Sequence, residues 1–170
     1  MMTKPETTEY ASFYKNYVNS VAENDAISAL ENSGKNLLFF LRSLPESKGH
    51  YAYAPDKWTV NDLLQHLIDS EIIFTYRALR IARGDKTPLA GFEQDEYVLA
   101  AQASYKSLTE LISILEQTRA FTISLFKSFN HSDTTNTGVA NGAEVSLRAL
   151  GFIIAGHCQH HLNVLKERYI

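Results

Sequence analysis

The chain has 170 residues, 45% of them apolar and 21% charged, the proportions of a folded globular protein and too hydrophobic for a disordered one. Lys and Arg number 16 against 19 Asp and Glu, a formal charge of −3, so no basic excess points to nucleic-acid phosphates or an anionic membrane. A single cysteine, Cys158, excludes an internal disulfide framework and a cysteine-only metal site, and fits a reducing cytoplasm. Residues 1–10 are polar and lack the apolar core of a signal peptide, and no later run approaches the ~18 uninterrupted apolar residues of a membrane span. The length suits one domain over residues 1–170.

In chain order, Ile27, Leu30, Leu37, Leu38 and Leu41 stand at helical spacing, which predicts a first helix over about 25–42, capped by Asn24 or Asp25 and ended before Pro45. The connector 48–57 carries Tyr51, Tyr53 and Pro55, rings expected to seal the bundle end rather than bind a ligand. Thr59 and Asp62 read as the cap of a second helix, in which Leu63, Leu67, Phe74 and Ile81 share a face as far as Gly84. Turn residues over 84–92 predict a loop. A third helix is expected from about Tyr97, or earlier, to Phe129, with a bend on the way. Residues 130–142, including Asn141-Gly142, read as loop, and Ser146 opens a last helix to about Arg168. The expectation is an all-α four-helix bundle, a fold that builds ligand and metal sites in its core.

Six histidines are present. His157 and His161 lie about 40° apart on the last helix, beside Leu150, Ile153, Ile154 and Val164, so both point into the apolar face. Buried imidazoles need hydrogen-bond or metal partners to offset desolvation. An i, i+4 pair can present two ring nitrogens to one divalent ion. His157 with His160, or Cys158 with His161, is also sterically possible, and spacing does not choose among them; tyrosine or backbone partners would satisfy core histidines as well. On the second helix His66 sits at the border of the buried face and supplies a third candidate. Taken alone it reads as a boundary histidine, but three neutral imidazoles would leave coordination positions open to water or substrate. His50 and His131 fall in connectors and read as solvated.

The run Lys57-Trp58-Thr59-Val60, continuing through Asp62-Leu63-Leu64-Gln65-His66-Leu67 to Tyr76-Arg77-Ala78-Leu79-Arg80, resembles the DinB-like superfamily, as does Gly156-His157-Cys158-Gln159-His160-His161-Leu162. The resemblance extends from about Asp25 onward. It implies a four-helix bundle of unusual connectivity, commonly a homodimer, with a divalent metal such as Zn²⁺ or Ni²⁺ held by His66, His157 and His161. The superfamily is functionally mixed: members resembling the YfiT group have been called metal-dependent hydrolases, others transfer a low-molecular-weight thiol to electrophiles, a related group isomerises maleylpyruvate with mycothiol, and many have no known reaction. The resemblance therefore implies a metal-dependent hydrolase or thiol transferase with a small-molecule substrate and a low-molecular-weight thiol as one partner. A non-catalytic bundle, stapled by metal or binding a ligand as a dimer, is the alternative.

Other residues read blandly. No side chain stands out as a general base; Asp69 flanks His66 and Glu71 points elsewhere. Arg77 lies about 16 Å along the helix from His66 by the 1.5 Å rise, too far to cooperate, and with Arg80 and Arg83 is expected to pair with acids or carbonyls. Cys158 reads as a packing residue. Gly151 and Gly156, unfavourable inside a helix, predict the close approach of another backbone, from a bundle neighbour or a dimer partner.

Overall fold

The computed structural model describes all of residues 1–170. Asp25 accepts from the Ser28 backbone N–H and starts a helix, Ala26–Leu41. A short helix, Lys15–Ser20, precedes it. These are α2 and α1. Thr59 and Asp62 form a reciprocal capping box at the head of α3, Val60–Ala82, which ends before Gly84 at φ 74°. The expected third helix is broken in two, α4 over Gln94–Ala101 and α5 over Leu108–Lys127. The break falls at Gln102, in the left-handed region at φ 48°, and Ser107 caps the new start. Ser146 caps the last helix, α6, over Leu147–Arg168.

The stretch read as loop before α6 holds a small antiparallel hairpin, β1 Thr137–Ala140 and β2 Ala143–Ser146, joined by Asn141 and Gly142 at φ 51° and 75°. Positive φ at both turn residues matches the right-handed twist of the strands, which is why Asn-Gly serves there. Leu89 docks on this hairpin through its N–H to Val139 and its carbonyl to the Asn141 N–H, both at 2.9 Å, and so ties the 83–93 loop to it.

The bundle is α2, α3, α5 and α6. Helix α2 packs beside α5 and α6, and α3 also packs beside α5 and α6, so the consecutive helices α2 and α3 lie diagonally. The connector 42–59 must therefore cross the bundle end, where Tyr51 and Tyr53 meet Tyr169 edge to face at 6.2 and 5.1 Å, in their expected sealing role. No helix is long and apolar enough to cross a membrane.

Two apolar clusters fill the interior, one around Leu30, Phe74, Phe126 and Phe152, the other around Leu37, Leu64, Leu111 and Leu165. Between them each helix contributes buried polar residues: Ser33 from α2, His66, Ser70 and Glu71 from α3, Arg119 and Thr122 from α5, His157 from α6. Arg119 grips Glu71 with two parallel bonds of 2.7 and 2.8 Å and donates also to the Leu30 carbonyl and Ser33 Oγ. A methyl on Gly34 would press on the Arg119 side chain, so that glycine makes room for it. Only 6% and 5% of the two side chains is exposed, so neither ion has water as a substitute partner. Arg119→Met should therefore cost about 3–5 kcal/mol in urea unfolding, by leaving the Glu71 carboxylate buried and unpaired, while Glu71→Leu with Arg119→Met should recover most of that loss. Equal stability of the single variant and the parent would show that the pair is solvated.

Candidate metal centre

Helix α6 is buried on nearly every side over its first twelve residues, because α1 lies against the flank that the bundle leaves open. Gly156 makes this possible: a methyl there would overlap the Tyr17 backbone. The backbone approach expected at the α6 glycines is found at Gly156, where it comes from the N-terminal segment, but not at Gly151, whose space is taken by the Ala26 and Phe126 side chains.

Held in this way, α6 turns His157 and His161 toward His66 of α3. His157 Nε2 lies 3.0 Å from His66 Nε2 and 3.1 Å from His161 Nε2. One nitrogen from each ring lies within 4.8 Å of the other two. His66 is 4% exposed and His157 7%, so His66 is a core residue and not the boundary histidine it resembles in isolation. His160 stays outside this group, exposed and stacked on Tyr17 at 5.4 Å. Cys158 also points away, with Sγ against the Ser33 carbonyl, as a packing residue. Asp69 accepts from Gln65 and Glu71 is taken by Arg119.

Burial pushes the His66 pKa down to about 4, against an opposing pull from the Asp95 charge. Burial, followed by repulsion from His66 and His160, takes His161 down to about 3. His157 falls well below its usual value for the same first reason, reinforced by its histidine neighbours. All three rings are therefore neutral at pH 7, each with one N–H and one lone pair. His157 Nε2 faces the Nε2 atoms of both other rings and has one hydrogen or one lone pair to offer, so it cannot fully satisfy both. His161 Nδ1 is buried without a partner, while Ser70 Oγ stands 3.4 Å from His66 Nδ1. Ring nitrogens about 2.0–2.1 Å from a common ion stand roughly 3.0 Å apart at right angles and 3.4 Å apart at tetrahedral angles. The observed spacing and the donor set fit a divalent cation.

His66 and His157 line a cavity of about 270 Å³ whose other walls include Tyr14, Tyr17, Ser70, Phe74, Arg77, Phe92 and Asp95. Most of these residues come from outside the bundle helices and carry no periodicity that would mark them. Arg77 departs from expectation. It does meet a carbonyl, donating to Ala90 at 2.7 Å, but it also reaches the histidine cavity. Helical side chains lean toward the N-terminus, so axial rise overstated the separation. Arg80 pairs with Asp85 as expected.

The buried neutral rings tie stability to pH. In the unfolded chain the imidazoles titrate near 6.5, and in the native protein near 4 for His66 and 3 for His161. Between these values the unfolded chain binds more protons, so the metal-free protein should hold full stability above about pH 6.5 and lose it toward pH 4, at up to about 1.4 kcal/mol per pH unit for each group. Urea midpoints of chelator-treated protein at pH 7 and 5 test this. His66→Leu should show a shallower fall, and midpoints independent of pH would contradict the burial of neutral rings.

The sequence matches the DinB superfamily over residues 29–165. No protein of curated function matches it by sequence. Among solved structures, the fold is similar to YfiT from Bacillus subtilis, described as a probable metal-dependent hydrolase with an unusual four-helix bundle topology. The TM-score is 0.74 at 15% identity, covering 96% of this chain and 90% of that one. It is similar also to the mycothiol-dependent maleylpyruvate isomerase, at a TM-score of 0.69 and 13% identity, over 81% of this chain and 58% of the isomerase chain. At such identities the likeness establishes the fold alone, whereas the family match spans most of the chain, which belongs to the DinB superfamily.

Proposed function

We propose that His66, His157 and His161 hold a divalent cation, Zn²⁺ or Ni²⁺, through their Nε2 atoms, and that the protein is a metal-dependent enzyme acting on a small molecule by thiol transfer or hydrolysis. The observation that carries this reading is the convergence of three neutral imidazoles from two helices, two of them buried and His161 half-buried, beside a cavity that His66 and His157 line. A closed structural site would need a fourth protein ligand, and no further His, Cys, Asp or Glu joins the cluster. That YfiT is described as metal-dependent and the isomerase as mycothiol-dependent agrees with both branches of the proposal.

Such an ion supplies Lewis acidity, bringing the pKa of a water or thiol toward neutrality. The chain's own residues do the rest. Ser70 beside Nδ1 steadies the His66 ring. Tyr14, Tyr17, Phe74 and Phe92 wall one part of the cavity. Asp95 lines the same cavity, and its charge opposes the lowering of the His66 pKa.

Elemental analysis tests the assignment. The purified protein should carry close to one divalent ion per chain, His157→Ala should carry none, and His160→Ala should keep most of it. Trp58, the only tryptophan, sits 5.0 Å from the His66 ring, so Co²⁺ or Cu²⁺ should quench its fluorescence in the parent and not in His157→Ala. Unchanged metal content in His157→Ala would refute the ligand set, and complete loss in His160→Ala would move it to the other i, i+3 member.

A further inference from the structure

Two arginines are buried inside the protein, and they differ in one respect. Arg119 is 5% exposed and spends its charge on Glu71. Arg77 is 3% exposed, and none of the five ion pairs in the structure includes it. Its one backbone bond goes to Ala90, the Tyr14 phenol stands beside it, and its guanidinium lies 5.7 Å from the Phe74 ring and 6.0 Å from Phe92. A guanidinium has five N–H donors, and a carbonyl, a phenol and two ring faces do not neutralise its charge. Keeping such an ion out of water without a counter-ion is costly.

The cavity that Arg77 lines is the one lined by His66 and His157. Phe74 spans the distance between them: its ring is 6.1 Å from His157 on one side and 5.7 Å from the guanidinium on the other. We infer that Arg77 is the anion-binding residue of this site, and that the substrate is a small carboxylate whose charged end rests on Arg77 while its reactive end lies at the histidines. This rests on the three-histidine site being the reaction centre, and it adds the substrate class. A carboxylate fits the planar fork of the guanidinium in bidentate fashion. Phe74 and Phe92 flank the guanidinium, and the cavity volume limits the ligand to a short chain. Glu93 and Asp95 line the same cavity without forming an ion pair with Arg77, so the guanidinium remains free for the ligand.

The probes are the monohydroxamates of succinic, glutaric and adipic acids, each compared with the matching compound whose free carboxylate is a carboxamide. Hydroxamates ligate a divalent ion whichever reaction the enzyme performs. In the Co²⁺-loaded protein, visible spectra should show the carboxylate bound at least about tenfold more tightly than the amide at the best chain length. Arg77→Gln should bring that ratio close to one without changing amide affinity, and Arg77→Lys should retain part of it. A role confined to holding the Ala90 loop would instead weaken both ligands alike. No carboxylate preference at any length, or one that survives Arg77→Gln, would overturn the inference. Should the protein take up no cobalt, the three-histidine reading is what fails. The subsite is then read in metal-free protein by the Arg77 Nε–H resonance, identified by its loss in Arg77→Gln. A shift with glutarate but not glutaramide supports the subsite, and no shift with either overturns it.

Discussion

The interior of this bundle is divided by a layer of buried polar groups, and satisfying that layer is the constraint to which the rest of the structure answers. An apolar core can repack at modest cost, but an ion or imidazole removed from water must meet a particular partner in a particular direction. Glu71 and Arg119 close one side of the layer, joining α3 to α5 and, through Leu30 and Ser33, to α2. The three imidazoles close the other side and join α3 to α6. The ion pair is complete as it stands. The imidazoles are not, since Nε2 atoms of neutral rings face one another and His161 Nδ1 has no partner. Of the two halves, one is a finished structural contact and the other has the incompleteness of a binding site.

What surrounds that site is not part of the four-helix frame. Helix α1 covers α6 and brings Tyr17 onto His157 at 5.4 Å. The loop after α3 brings Phe92 and the start of α4 brings Asp95, and the hairpin fixes that loop by pairing with Leu89. The bundle thus supplies rigid placement of the ligating side chains, while segments that could vary without disturbing the core decide what enters. This division explains how one bundle accommodates different chemistries, and why likeness of fold carries little information about substrate.

The parts legible in the sequence were those governed by local rules. The boundaries of α2, α3 and α6 follow from Asp25, Thr59 and Ser146 as caps and from apolar spacing, and the structure agrees within a residue or two. His157 and His161 were visible as a pair because helical periodicity put them on an apolar face. Periodicity did not choose between His160 and His161; the DinB resemblance did, and His160 is indeed turned outward. The break between α4 and α5 was less legible, because Gln102 takes a positive φ that its residue type does not announce. The hairpin did carry a signal, since Asn141-Gly142 is the dipeptide most suited to a two-residue turn, but its strands are four residues long and show little alternation. Tyr14, Tyr17 and Asp95 had no signal, because their importance arises from contacts with residues far along the chain.

Arg77 shows why distance along a helix is a poor guide to what two of its residues can do together. Eleven positions separate it from His66, yet a cavity is shared by whatever side chains lean into it. A guanidinium reaches several ångströms from its backbone, and a ligand supplies the remaining length. The same reasoning distinguishes the two buried arginines. A residue that evolution keeps buried for stability tends to be closed by protein partners, as Arg119 is by Glu71, Leu30 and Ser33. One kept buried for binding must leave its strongest donors uncommitted and accept the loss of stability that follows. The charge on Arg77 and the lone pairs on the three histidines are incomplete in opposite senses, one lacking an anion and the other a cation. Because Arg77, His66 and His157 line a single cavity, a metal ion and a carboxylate ligand together would complete them.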